Sequence, residues 1–219
     1  MTKRRSPPEN RCPHCRINNR YCFCRYFFKY QNKHQILIIR HFRERHLPTS
    51  TAWPFPKLLT NAHILDRGIE RELPLQNYLN SEYDPYVLFP DDAAIELNAD
   101  FLAARKKPIQ LIVPDGTWSQ ARKIKKREPL LKNLPSLKLS KLEGKYFLKH
   151  SPVLGGVSTF EAIAHAQKML EGEALSAALL AFFGMMVEHH LIARGSMQFL
   201  SGNNLDNFPN LSNILKLQD

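Results

Sequence analysis

The chain has 219 residues, 43% of them hydrophobic, which is enough for one substantial core with a small appendage. Its formal net charge of +11, with a pI of about 9.6, points to a polyanionic partner, either nucleic acid or an anionic membrane surface. The N-terminus is basic but no apolar stretch follows it, so a secretory signal is not expected, and a cytoplasmic setting is.

The charge is unevenly placed. Residues 1–50 hold 12 Lys/Arg against 2 Asp/Glu, and residues 104–150 hold 13 against 3. Each block carries a surplus of ten, while the rest of the chain is acidic. A compact fold could join the two blocks into one phosphate-binding face, whereas a surface selected for solubility alone would mix the signs.

In chain order, residues 1–11 read as a polar, basic, disordered tail. Residues 12–30 form a cysteine module: Cys12-Pro13-His14-Cys15, six residues, then Cys22-Phe23-Cys24. Two close pairs can place four thiolates tetrahedrally around Zn²⁺, and a closed four-cysteine site is structural. Crowding all four cysteines into 13 positions favours a metal over disulfides. His14 is expected to be a bystander.

Residues 31–194 are expected to form the main domain. Gln35 to Arg40 is a β-branched run of buried-strand type. His41-Phe42-Arg43-Glu44-Arg45-His46 follows it, with basic groups suited to phosphate and Glu44 able to orient an arginine. Pro54 and Pro56 suggest a helix running to about Asn61. Tyr86 to Phe89 is a second strand, stopped by Pro90, and Ile109 to Val113 a third, stopped by Pro114. Asp115-Gly116 makes a turn into a basic helix from Thr117 to about Arg127, where Thr117 and Gln120 have capping-box spacing. Ser136 to Leu139 and Lys145 to Leu148 are weaker strands.

Gly155-Gly156-Val157-Ser158-Thr159-Phe160-Glu161 repeats the construction, with Ser158 and Glu161 as a second capping box and glycines that let backbone approach a ligand. Helices are expected over about 158–171 and 174–192. The apolar run Ala174 to Val187 is too short to cross a bilayer, so no membrane partner is expected. Residues 195–219 read as a polar tail. Strands alternating with helices predict an α/β domain with a mostly parallel sheet, whose ligands sit beyond the strand carboxyl ends.

Taken together, these segments resemble the DTW-domain family of tRNA-uridine aminocarboxypropyltransferases, from Cys12 to about Leu191. The resemblance rests on the cysteine knuckle, His41-x-x-Glu44-Arg45 with Thr49 and Thr51, Leu88-Phe89-Pro90, Asp115-Gly116-Thr117-Trp118 with Gln120-Ala121-Arg122-Lys123, Leu134-Pro135, Tyr146, and Ser158-Thr159-x-Glu161-Ala162. Seven blocks in order are specific where Asp-x-Thr-Trp alone is not. The chain departs from the pattern at Phe42, Trp53 and Lys149.

The resemblance implies a SPOUT-like fold with a C-terminal knot that cups S-adenosylmethionine. It also implies transfer of the 3-amino-3-carboxypropyl group from that cofactor to N3 of a tRNA uridine. On this reading Asp115 is the general base. Leu88, Phe89, Pro90, Pro114, Gly116, Thr117, Leu154, Val157, Ser158, Thr159 and Glu161 hold the cofactor. His41, Glu44, Arg45, Trp118, Arg122, Lys123 and Lys149 meet the tRNA, with Trp118 stacking on uracil or adenine. No obligate protein partner is implied. Two rival readings are a SPOUT-type RNA methyltransferase and a non-catalytic zinc-containing RNA-binding module.

Overall fold

A computed structural model describes residues 8–68, 75–140 and 157–194. Its described residues form a six-stranded parallel sheet in the order β2-β1-β5-β3-β6-β4. The strands are β1 (Gln35–His41), β2 (Ala62–Arg67), β3 (Asp84–Leu88), β4 (Ile95–Glu96), β5 (Ile109–Asp115) and β6 (Ser136–Lys138). The helices are α1 (Phe55–Leu58), α2 (Ala99–Ala103), α3 (Trp118–Arg127), α4 (Pro129–Lys132), α5 (Thr159–Leu170) and α6 (Glu173–Ala193).

The central strands are apolar on both faces because helices cover both. All seven residues of β5 are buried, as are the five central residues of β1. Alternation then divides the core. Ile36, Ile38, Leu111 and Val113 pack with the cysteine module, α1, α5 and α6, while Leu37, Ile39 and Ile112 pack with Ala121 and Ile124 of α3. α6 is long and apolar enough to cross a membrane by length and composition, yet 56% of its apolar window is buried inside the protein. Its partner is α5, where Phe160 stacks on Phe183 at 4.8 Å between ring centroids.

Two sequence expectations are corrected. The helix after Pro54 ends at Leu58 instead of Asn61, because Tyr30 captures the chain: its N–H donates to Leu58 O at 2.8 Å and its carbonyl accepts from Thr60 N at 3.0 Å. Pro114 does not stop the third strand, which continues to Asp115. Pairing of β5 with β3 ends at Val87↔Ile112, so the donor that proline lacks would have no ladder partner on that side. Ala62–Arg67, which has no β-branched run, is an edge strand. The weak strand expected at Lys145 to Leu148, and the stretch of chain on which a knot would depend, lie outside the described residues.

The order of the strands locates the crevice. From β1 the chain leaves toward β2 on one side, and from β5 it leaves toward β6 on the other. Neighbouring strands with opposite exits open a cleft at their carboxyl ends, where α/β proteins bind ligands. Here those ends are Arg40-His41 and Asp115-Gly116.

Candidate functional site

Arg40 and Asp115 are register partners on β1 and β5, and Arg40 and Asp66 are register partners on β1 and β2. All three project to the face that carries the cysteine module and α5. Arg40 is 8% exposed and Asp115 4% exposed. The Arg40 guanidinium donates to both carboxylate oxygens of Asp66, Nε to Oδ1 at 2.6 Å and Nη2 to Oδ2 at 3.0 Å. This bidentate pair satisfies a buried charge that would otherwise be costly. Arg45 adds a longer contact to Asp66, 3.5 Å.

Asp115 is anchored from the other end of the sequence. Thr159 Oγ1 donates to Asp115 Oδ1 at 2.6 Å. Thr159 is the first residue of α5, whose N-cap Ser158 and Glu161 form the expected capping box: Ser158 N–H donates to Glu161 Oε2 at 2.8 Å, and Glu161 N–H to Ser158 Oγ at 3.2 Å. α3 starts in the same way. Thr117 N–H donates to Gln120 Oε1 at 2.7 Å, and Gln120 N–H to Thr117 Oγ1 at 3.3 Å. Gly116 between strand and helix has φ +154°, and a Cβ there would lie 2.8 Å from Gln120 Oε1. A side chain at 116 would therefore break the cap.

Of the residues singled out in the sequence, Asp115, Gly116, Thr117, Thr159 and His41 come together at this crevice. A Cβ at Gly116 would lie 3.3 Å from that of His41. His41 caps the short helix Phe42–Glu44 by accepting Arg43 N–H at 3.3 Å. Burial, followed by the charge of Arg43, holds its pKa below the usual histidine value, against the pull of the buried Glu44. Pro114 and Phe89 are buried, Leu88 is half-buried and Pro90 is exposed. Trp118 is half-buried against Phe89, with ring centroids 6.1 Å apart and planes at 64°, so part of its surface belongs to the α3 core. Arg122 and Lys123 are exposed on α3, and Val157 is half-buried. Leu154 and Lys149 lie outside the described residues.

Four residues that sequence reasoning did not single out complete the surroundings. Arg40 was detectable as a charge at the end of an apolar strand, whereas Asp66 lies on β2, which the sequence pattern does not mark. Asp91, just after Pro90, accepts from Ser136 Oγ at 2.6 Å and from Lys125 Nζ at 2.8 Å. Burial opposes its ionisation, but these donors hold its carboxyl below the usual range. Arg16 has φ +62° and donates from Nη1 to Arg45 O at 2.6 Å. It ties the cysteine module to the loop after β1.

The four cysteine sulfurs lie within 4.8 Å of one another, with Cys12–Cys24 at 3.7 Å and Cys15–Cys22 at 3.8 Å. The edge of a tetrahedron built on Zn–S bonds is about 3.8 Å. The donor set and its spacing therefore fit a thiolate-bound metal ion. For Cys15, burial and neighbouring sulfurs push the pKa up to about 11. For Cys12, backbone N–H bonds at Cys15 and His14 overcome burial and bring it to about 7. A divalent cation would relieve that crowding by favouring thiolates. His14 is exposed.

The family model described as "DTW domain" matches residues 9–191. A protein of Macaca fascicularis, "tRNA-uridine aminocarboxypropyltransferase 2", is 29% identical over 138 residues, covering 60% of this chain and 46% of that protein. The chain thus spans about half the length of that relative. No solved structure matches the chain. With a match over most of its length that includes the cysteine module, the strand-end aspartate and both capped helix starts, the chain belongs to the DTW domain family.

Proposed function

We propose that this protein transfers the 3-amino-3-carboxypropyl group of S-adenosylmethionine to N3 of a uridine in tRNA, giving the modified base and methylthioadenosine. The observation that carries the proposal is the 2.6 Å bond between Thr159 and Asp115, which brings two separate sequence motifs to one strand-end crevice. The name of the macaque relative supplies the reaction class.

Asp115 is the general base. It accepts the N3 proton as N3 bonds to the γ-carbon of the transferred chain, and the carbon–sulfur bonding pair leaves on the sulfur. Such a base contributes about 10²–10⁴-fold. Thr159 fixes the carboxylate, leaving alignment of the two reactants as the larger contribution. The starts of α3 and α5, with backbone at 88–90 and 114–116, hold the cofactor, whose carboxylate suits a helix N-terminus. Glu161 and Gln120 serve as caps, so their contribution is to fix these backbones. His41, Arg45, Trp118, Arg122 and Lys123 meet the RNA. The four cysteines hold structural Zn²⁺, the C-terminal part is a SPOUT-like knot, and the protein works in the cytoplasm on tRNA without an obligate protein partner.

The test uses S-adenosylmethionine labelled in either the carboxyl or the methyl carbon. Carboxyl label is expected in tRNA, and methyl label in methylthioadenosine. Methyl label entering tRNA would instead establish a methyltransferase, and neither label entering tRNA, with binding intact, a non-catalytic binder.

A further inference from the structure

A cavity lies between the cysteine module and the loop that follows β1. Its volume is about 120 Å³, and its walls include Cys15, Arg16, Arg40, Arg45, Leu47 and Trp53. Ligand pockets for whole cofactors run to roughly 300–1,000 Å³, so this one is too small for S-adenosylmethionine. It does fit a single tetrahedral anion. Three arginines line it, and among the described residues no carboxylate does. Asp66 engages Arg40 through Nε and Nη2 and lies 3.5 Å from Arg45 Nε.

The walls are held in place before any ligand arrives. Arg16 is fixed by its bond to Arg45 O, and Arg40 by its bidentate pair. Turns from Glu44 to Leu47 and from Leu47 to Ser50 shape the loop, with N–H···O distances of 3.2 and 3.0 Å. Trp53 is braced by Phe27 and Phe23, with ring centroids 5.6 and 6.1 Å away, and stays half-buried. With Nε and Nη2 of Arg40 and Nη1 of Arg16 already engaged, their remaining N–H groups are held in place for a phosphate, and an aromatic wall beside them offers a stacking surface for a base.

We infer that this cavity binds a backbone phosphate of the RNA substrate, with the adjoining base against Trp53. Arg40 is both a wall of the cavity and the register partner of Asp115, so the captured phosphate belongs to a nucleotide next to the one presented to Asp115. The cavity thereby sets which neighbour of the target uridine is gripped. This inference rests on the RNA-modifying function proposed above. Because Cys15 is both a cavity wall and one of the four clustered thiols, the metal site and the phosphate grip share a wall.

The test uses the full, metal-loaded chain and a hexauridylate probe, with affinity measured across salt concentrations. Arg16→Ala and Arg45→Ala are each expected to lower the magnitude of the log–log salt slope by about 1. Trp53→Ala is expected to weaken binding about tenfold, and Trp53→Phe to restore most of it. Inorganic phosphate should compete for the site and acetate should not. Metal content and circular dichroism establish that each variant is folded, and Arg45, with a side chain 48% exposed, is the one least tied to the core. Unchanged affinity and slope in Arg16→Ala and Arg45→Ala, with wild-type RNA binding intact, would overturn the phosphate pocket and leave the transferase reading standing. Equal competition by acetate would make it a general anion site and overturn the inference. Failure of the wild-type chain to bind any RNA would overturn both.

Discussion

Thr159 donates its hydroxyl to Asp115 across 44 residues of sequence, at 2.6 Å. The bond joins the carboxyl end of β5 to the amino end of α5. It holds one carboxylate oxygen, Oδ1, of a residue that is 4% exposed. Two capped helix starts, each adequate as ordinary structure alone, become one site through this contact.

Thr159→Val keeps the shape of the side chain and removes the donor. Hydrogen bonds to charged groups contribute about 1.5–3 kcal/mol, so single-turnover transfer should slow by about 10- to 100-fold. RNA affinity should stay within about twofold, because Thr159 does not belong to the basic surface. Thr159→Ser should recover most of the rate. A Val variant as fast as wild type would show that the bond is structural only.

Asp115→Asn tests the base itself. The amide can still accept from Thr159 and fill the same space, so folding and RNA binding should persist. Transfer should fall by about 10²–10⁴-fold. Unaltered single-turnover rates would remove Asp115 from the chemistry.

Much of this was legible in the sequence because strong local signals survive folding. Apolar runs gave β1, β3 and β5, and Ser/Thr-x-x-Glu/Gln spacing gave both capping boxes. What stayed hidden depended on partners distant in the chain. Nothing near Pro54 announces that Tyr30 will end the helix at Leu58. Arg40 looks like a solvated strand terminus until Asp66 and Asp115 flank it in register. Asp91 and Lys125 look like independent surface charges, 34 positions apart in sequence, until they pair at 2.8 Å.

The cysteine cluster should hold the fold together as well as a metal. Phe23, between Cys22 and Cys24, is fully buried against Trp53, Phe182 and His190. Loss of the cluster frees that ring from the main core. Cys22→Ser, or chelation of the wild type, should lower metal content and reduce the melting temperature by about 5–10 °C, the shift expected for two or three kcal/mol in a chain of this size. Retention of full stability by metal-free protein would separate the module from the core.

Acid should destabilise the protein through His34. Its Nδ1 accepts the Ile109 N–H at 2.9 Å, which requires a neutral ring, and burial with Lys33 nearby holds its pKa below the usual value. With the folded-state pKa depressed, proton uptake favours the unfolded chain. Stability is therefore complete above about pH 6.5, the ordinary histidine value, and is lost as pH falls below it. His34→Asn supplies an acceptor in the same position without titrating. Denaturant midpoints for the variant should vary less between pH 7 and pH 5 than those of wild type, and parallel curves would dismiss the role.

The charge surplus makes its own prediction, and the structure narrows it to particular side chains. Lys125 and Lys126 are consecutive on α3 and look equivalent in sequence. Lys126 is exposed, whereas Lys125 is held by Asp91 beside Ser136, bracing the loop after β3. The Lys125 side chain is only 16% exposed, with Nζ turned to Asp91, whereas Lys126 lies open to solvent. Lys126→Glu, with Lys123→Glu on the same exposed surface, should therefore weaken tRNA binding and flatten its dependence on salt, by about 0.9 in log–log slope per lost duplex phosphate contact. Lys125→Glu should act differently. It places a second carboxylate against Asp91, so it should lower thermal stability and slow transfer through the displaced loop, with a smaller change in salt slope. Equal salt slopes for Lys125→Glu and Lys126→Glu, at equal stability, would mean that the Lys125–Asp91 pair opens when RNA binds.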